Sequence, residues 1–344
     1  MALKQIKKIA KKAQKIVNSR TSSPFFDFIT LGSATIDIFL TPEPTETEII
    51  KIISNKEDFE LIAYPLGSKI LIDSLDIEIG GGGTNSAVAL KKLGFDVGFY
   101  GCIGEDENGK KIKEYLNSQN ITFLGNQKGI NGVSIILNSF TNERTVFTFK
   151  GSNDLLENKF NYKAKALYSA SLTRNAFLVQ KEIFKKAKEN KTIIFYNPSS
   201  YVVKKGFDNL KDTLQYVDFL IFNKEEAMLL TKEQDIDEIF KKLIPYFKGV
   251  IITDGSNGAY FYDKEIYHIK SHKVKVLEPT GAGDAFGSTF AGFYMLTNSI
   301  TEAVKSALLN AESVIQQIGP KKGLLSREEL ERIKMSTIFE IEKI

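Results

Sequence analysis

Gly281-Ala282-Gly283-Asp284 is the stretch of this sequence best suited to chemistry. Glu278-Pro279-Thr280 precedes it, and the apolar run 286–296 that follows predicts a buried helix. The two glycines and the carboxylate therefore fall at a helix N-terminus, where backbone N–H groups lack intrahelical partners and the helix dipole favours negative charge. With no side chain at Gly281 or Gly283, an anion can approach those N–H groups closely. The result is a cradle for a phosphate or an oxyanion. A carboxylate there repels the anion unless it has work to do, such as taking a proton from an attacking hydroxyl. Two readings of Asp284 fit: a general base beside an anion hole, or a first-turn acid that complements the dipole beside a glycine turn.

Other residues have the types and spacing to join it. Gly80-Gly81-Gly82-Gly83-Thr84-Asn85 opens a helix over 86–93 that stops at Gly94. Four glycines before a helix mean close backbone approach by a ligand, or a hinge, and Asn85 adds an amide in the first turn. Asp37 lies just beyond the apolar strand 25–31, at an edge where α/β sheets commonly bind ligands. Asn223 and Glu226, on a strand-to-helix turn, suit a hard cation held through oxygen and water; the alternative is an N-cap with an ordinary first-turn acid. The segment 104–111 nearly spells a phosphate-binding loop, but it lacks the final Ser or Thr and carries Glu105, Asp106 and Glu107. It reads as a polar turn before a helix over 110–117. The only histidines, His268 and His272, are four apart in an alternating, strand-like stretch, about 13 Å apart if extended and so unable to share a metal. Proton transfer falls to carboxylates or lysines.

The elements that must position these residues alternate. Strands are expected at 167–169, 193–196, 219–222 and 250–253, and helices at 176–188, 224–230, 236–247, 284–296 and 302–318, which argues a mostly parallel sheet wrapped by helices. A strand over 274–277 is expected to deliver the chain into the cradle. Short alternating runs between 40 and 79, broken by acidic and proline-containing stretches, predict a small β-rich lid; 133–137 and 145–149 predict a hairpin that adds to it.

The 344 residues are 42% hydrophobic and 26% charged, an ordinary globular composition with ample length for a core. The single cysteine, Cys102, precludes an internal disulfide and points to a reducing, cytoplasmic setting. No run of about 18 apolar residues offers a transmembrane segment. The formal charge of +4 is uneven: residues 1–23 hold seven basic residues and no acid, so 39 basic residues face 42 acidic ones in the remainder, a net of −3. A body of that charge is not a nucleic-acid binder. Leu3, Ile6, Ala10, Ala13, Ile16 and Val17 recur at helical spacing with lysines opposite, predicting a basic amphipathic extension over 1–23. Contact with nucleic acid or an anionic membrane is open to such a helix. Docking on its own protein or a partner subunit is favoured, because its apolar side chains are few.

Taken together, these motifs make the chain resemble the ribokinase-like (PfkB) carbohydrate kinases from about residue 25 onward. The segment 80–116 is similar to that family's N-terminal signature and 279–290 to its C-terminal signature, in matching order and separation. The resemblance implies an α/β, ribokinase-like fold: a mostly parallel central sheet flanked by helices, with a small β-rich lid. The kinase domain would span 24–344, with lid segments at about 40–79 and 131–149. It implies ATP-dependent, Mg²⁺-requiring phosphoryl transfer to a sugar hydroxyl; the alternatives are a nucleoside kinase of the same fold and a non-catalytic sugar-binding member. By position, Asp284 matches the catalytic base, and Gly281, Ala282 and Gly283 match the anion hole. Asp37, Gly81, Gly82, Asn85, Arg144 and Asn153 fall at acceptor-binding positions. Asn223, Thr253, Gly255, Gly258 and Asn310 fall at nucleotide-binding ones, with Asn310 bordering the adenine. Glu226 with Asn223 matches a motif associated with Mg²⁺ through water. A homodimer through the lid is expected.

Departures from the pattern matter. Gly82 stands where relatives often carry lysine, which removes one familiar recognition group for phosphate-bearing acceptors. Glu278-Pro279-Thr280 replaces the Asp-Thr-Thr of many members. Glu278 and the segment 322–326 resemble a monovalent-cation loop with spacing changed by about one residue, which leaves K⁺ open as a further cofactor. Glu143 and Arg144, on the lid hairpin, could reach an acceptor's charged group or form an exposed ion pair.

Overall fold

Phe25–Leu31 (β1) is apolar almost throughout and buried on both faces, as a strand in the middle of a parallel sheet must be. In this computed structural model, which describes residues 24–43, 48–53, 58–138 and 144–344, β1 lies near the centre of a ten-stranded sheet. The basic extension 1–23 and Glu143 lie outside the described residues.

Along the chain β1 is followed by Thr35–Pro42 (β2), Glu48–Ile53 (β3), Asp58–Ala63 (β4), Ile72–Gly80 (β5), Val97–Tyr100 (β6), Cys102–Ile103 (β7), Thr122–Phe123 (β8), Asn126–Gln127 (β9), Gly132–Asn138 (β10) and Arg144–Phe149 (β11). Then come Lys163–Ser169 (β12), Ile193–Tyr196 (β13), Phe219–Asn223 (β14), Gly249–Thr253 (β15), Ala259–Asp263 (β16), Glu265–Ile269 (β17) and Ile341–Lys343 (β18). The main sheet runs β18-β17-β16-β15-β14-β13-β12-β1-β6-β8. Pairings from β15 to β8 are parallel, and β16, β17 and β18 add an antiparallel margin. Strand periodicity divides the apolar side chains between two cores, one on each face. Phe28, Phe195 and Phe219 join helices Gly82–Lys92, Ala282–Thr297 and Ile300–Val314, whereas Ile29, Ile194 and Leu220 join Arg174–Glu189 and Ile236–Leu243.

Among the described residues the predicted helices form, with shifts that have local causes. Asp106 accepts from Gly109 N–H at 3.0 Å, so the helix expected at 110–117 starts earlier, at Glu107. The one expected over 236–247 ends at Leu243 and passes into a 3₁₀ turn holding Pro245, since proline cannot continue the ladder of helical N–H bonds. The expected strand 274–277 does not form. That stretch is irregular and its Val276 and Leu277 are exposed; its anchor is the Ile315 carbonyl, which accepts from both Leu277 and Glu278 N–H. Alternation misled because this chain runs over the end of a helix instead of along a strand.

A separate four-stranded sheet, ordered β11-β10-β2-β5, stands beside the main one. It begins at Thr35, not near residue 40, so Asp37 lies on a strand of this small sheet. Register aligns Phe147, Ile135, Ile38 and Ile77 across one face. The same register places Asp37, Glu78 and Ser134 on the opposite face, toward the cradle helix Ala282–Thr297.

Candidate active site

The cradle forms where the irregular stretch 270–280 turns into that helix. Gly281 is its N-cap, with φ 89°, and a Cβ there would come within 2.5 Å of Pro320; both conditions select glycine. No side chain caps this end, which leaves first-turn N–H groups for an external anion. Gly283 is exposed, and the space a Cβ would enter is open.

Two cavities meet at this helix end. A groove of about 870 Å³ is lined by Ala282, Gly283, Thr253, Gly255, Gly258 and, from the penultimate helix, Leu308, Ala311, Glu312 and Ile315. A smaller pocket of about 300 Å³ is lined by Asp284, Gly82, Ser33, Ser171, Asn197, Glu226 and Lys150. Ala282 and Gly283 of the cradle thus face the large groove, while the carboxylate of the next residue, Asp284, faces the small pocket. That is the arrangement a transfer between two ligands needs.

Asp284 belongs to a network that ties four segments together. Asn85 Nδ2 donates to Asp284 Oδ2 at 2.8 Å. Lys321 Nζ donates to Asn85 Oδ1 and to the Ile79 carbonyl, which fixes the amide with its NH₂ toward the carboxylate. Burial raises the Asp284 carboxyl above its ordinary range, and the charge of Asp37 adds to this, while the Asn85 bond and Lys321 oppose it. Burial also raises Asp37, which accepts from Thr35 Oγ1 at 2.7 Å and feels Lys321. The same burial pushes the Lys321 ammonium down to about 8, against the pull of Asp37, Asp284 and Glu78. Lys321 is the main residue that sequence reasoning missed. The only local signal was a lysine pair bracketed by Gly319-Pro320 and Gly323, beyond the penultimate helix.

The remaining residues divide. Gly81 caps the helix Gly82–Lys92 with φ 92°. Gly82 lines the small pocket, and a Cβ on it would lie 2.7 Å from Ala170 and 3.1 Å from Asp284 Oδ1, which explains why no larger residue stands there. Asn153 also lines the pocket, but its amide is spent on Ala34 and on the Lys150 carbonyl; it holds the crossing from β1 to β2. Asn223 is exposed and makes a full capping box with Glu226, accepting from Glu226 N–H at 2.8 Å. Glu226 is buried against the pocket, its oxygens receiving Asn223 N–H and Ser200 Oγ. With one bond on each oxygen, the carboxylate keeps lone pairs for the water shell of a cation, so these residues fit Mg²⁺ held through water better than direct ligation.

Two residues lie away from the cavities. Asn310 does not border the groove: it is fully buried, donates to Thr289 Oγ1 at 2.6 Å and accepts from Leu325 N–H at 2.9 Å. It faces the neighbouring helix, one position before Ala311 and two before Glu312, which do line the groove. Arg144 does not reach the small pocket. Its guanidinium meets buried Glu278 at 3.3 Å, and Glu278 in turn accepts from Thr280 N–H and Oγ1. Arg144 thereby latches the small sheet to the turn that shapes the cradle. Arg144→Ala is expected to speed amide exchange in 132–138 and 144–149 severalfold and to raise the acceptor KM; unchanged exchange would show that the pair does not hold this sheet.

Neither histidine is poised for the chemistry. His268 meets Asn257 O and Glu342; His272 meets Glu312 and Ile338 O, and Glu312 raises it above the usual imidazole range against its partial burial. No described helix is long and apolar enough to cross a membrane.

Comparison with known proteins agrees with this geometry. The sequence pattern described as pfkB family carbohydrate kinase matches residues 46–327. The ribokinase of Lactococcus lactis subsp. lactis is 28% identical over 257 residues, covering 71% of this chain and 82% of that protein. The 5-dehydro-2-deoxygluconokinase of Clostridium botulinum is 30% identical over 243 residues, covering 62% and 70%. The crystal structure of the Methanocaldococcus jannaschii nucleoside kinase superposes with a TM-score of 0.72 over 90% of this chain and 99% of that one, at 21% identity. With most of its length matched, this chain belongs to the pfkB family of carbohydrate kinases, enzymes that transfer a phosphoryl group from ATP to an alcohol.

Proposed function

We propose that the chain phosphorylates a hydroxyl of a sugar, with the donor nucleotide in the large groove and the acceptor in the small pocket. The observation that carries this reading is the cradle helix end, with Gly283 open to one cavity and Asp284 to the other. The first-turn N–H groups of 281–283 receive the transferring phosphoryl group, whose charge is spread over its oxygens in a loose transition state. Asp284 takes the proton of the attacking hydroxyl. Asn85 orients Asp284, and Lys321 orients Asn85. Thr253, Gly255 and the tight crossing at Gly258 shape the groove beside the nucleotide. Glu226 and Asn223 hold Mg²⁺ through water, and Mg²⁺ when bound neutralises charge on the phosphates. The hydroxyls and amide of Ser33, Ser171, Thr173, Asn197 and Ser199 in the pocket's lining suit a sugar, while Leu172, Pro198 and Tyr201 beside them keep a nucleoside as the alternative. A cytoplasmic setting and a homodimer complete the proposal. Supporting the dimer, the lid face away from the site exposes Leu75, Ile77, Phe147 and Phe149, the kind of apolar patch that marks an interaction surface.

A panel of pentoses, hexoses and nucleosides assayed for acceptor-dependent ADP release tests the reading. Release is expected with at least one sugar and with higher kcat/KM than for any nucleoside; the reverse ranking would reassign the acceptor.

A further inference from the structure

Lys150 is the one basic side chain lining the small pocket, where Asp154, Glu226 and Asp284 are the acids, and the reaction above does not use it. It sits where β11 ends and the turn Gly151–Leu155 begins, with its carbonyl held by Asn153 Nδ2 at 3.1 Å. Its side chain is partly buried in the pocket wall. Among the described residues no carboxylate pairs with it. Asp154, the acid whose charge acts on it, is already paired with Arg174 at 3.0 Å. Burial lowers the Lys150 ammonium below its ordinary value, and Arg174 adds to this. An ammonium kept partly from water without a partner costs free energy that a bound anion recovers.

We propose that Lys150 binds an anionic group, carboxylate or phosphate, on the acceptor, at the end remote from the hydroxyl that is phosphorylated. This rests on the placement of the acceptor in the small pocket. Lys150 and Asp284 reach that pocket from different elements, Lys150 from the end of β11 and Asp284 from the first turn of the cradle helix. In the same lining Ser33, Ser171, Thr173, Asn197 and Ser199 offer hydroxyls and an amide, which suit a polyhydroxylated chain. The donor's triphosphate could supply the same anionic chemistry. However, the cradle that receives it opens into the other cavity, so the acceptor is the source the geometry favours.

The test is calorimetric binding to the full-length chain without nucleotide, so it does not depend on turnover. The probes are five- and six-carbon sugar acids and sugar phosphates, gluconate and fructose 6-phosphate among them, each beside its neutral sugar. At least one anionic probe is expected to bind about tenfold or more tightly than its neutral counterpart. Lys150→Met should remove that advantage, by about 10- to 100-fold, while Lys150→Arg keeps most of it and neutral sugars change little. Anionic probes binding no better than neutral ones overturns the proposal. So does a Lys150→Met loss confined to ATP, which would give the charge to the donor. Failure of every sugar, sugar acid and sugar phosphate to give ADP release, with anion binding intact, would instead remove the kinase reading of the pocket and leave the anion site standing.

Discussion

Asp284→Asn is expected to lower turnover by about 10²–10⁴-fold, the range for losing a positioned general base, with nucleotide affinity no weaker than in the unmodified enzyme. The substitution keeps size and the hydrogen bond to Asn85, so the helix end stays formed. What disappears is the acceptor for the hydroxyl proton. Nucleotide binding has no reason to weaken, because the amide removes a negative charge beside the triphosphate. The unmodified enzyme should also lose activity on acidification at a pH above the ordinary carboxylate range, because burial raises Asp284 and only its ionised form accepts the proton. Steady-state kinetics across pH checks both. Turnover of the variant within threefold of the unmodified enzyme would remove Asp284 from the base role.

Lys321→Met is expected to lower kcat/KM by about 10- to 100-fold, the range for losing a hydrogen bond to a charged group. The loss follows from the network. Without the ammonium, Asn85 is no longer fixed with its NH₂ toward Asp284, and the charges of Asp37 and Asp284 act on each other unrelieved. The signature that separates this from general damage is the alkaline limb. Lys321 titrates at about 8 in the folded chain, so activity should fall as pH rises through that value and the variant should lack this limb. Stability should move the other way. The unfolded lysine keeps its proton to about 10.5, so between about 8 and 10.5 the unfolded chain binds more protons and stability gains from this group as pH rises. An alkaline limb that persists in Lys321→Met would assign it to another group.

Much of this site was legible because its parts are local. The glycine run at 80–83 and the cradle at 281–284 each encode a backbone shape within a few residues, and each opens the helix expected of it. Lys321 and Lys150 were not legible for the opposite reason. Lys321 comes from a loop remote in sequence from Asn85 and Ile79, which it contacts, and Lys150 from a strand end remote in sequence from the cradle, so spacing alone did not bring either to the site. Asp37 was read as lying just beyond β1 at the edge of the sheet, and the sequence does not show that the chain enters a second sheet there, because β2 follows β1 after only three residues. Asn310 was assigned by position along its helix, and the face of the helix decided otherwise. Of the two readings of Asn223 and Glu226, the structure shows the capping box, and Glu226 lines the pocket as well, so the cap is compatible with the proposed cation.

The most direct measurement follows the phosphorus itself. Incubation with Mg²⁺, ATP and the best acceptor of the panel, read by ³¹P NMR, should show one phosphate monoester of the sugar for each ADP, with both signals nearly abolished in Asp284→Asn. ADP accompanied by free phosphate in place of a monoester, or a monoester formed equally well by the variant, would contradict transfer from the glycine cradle to a hydroxyl held at Asp284.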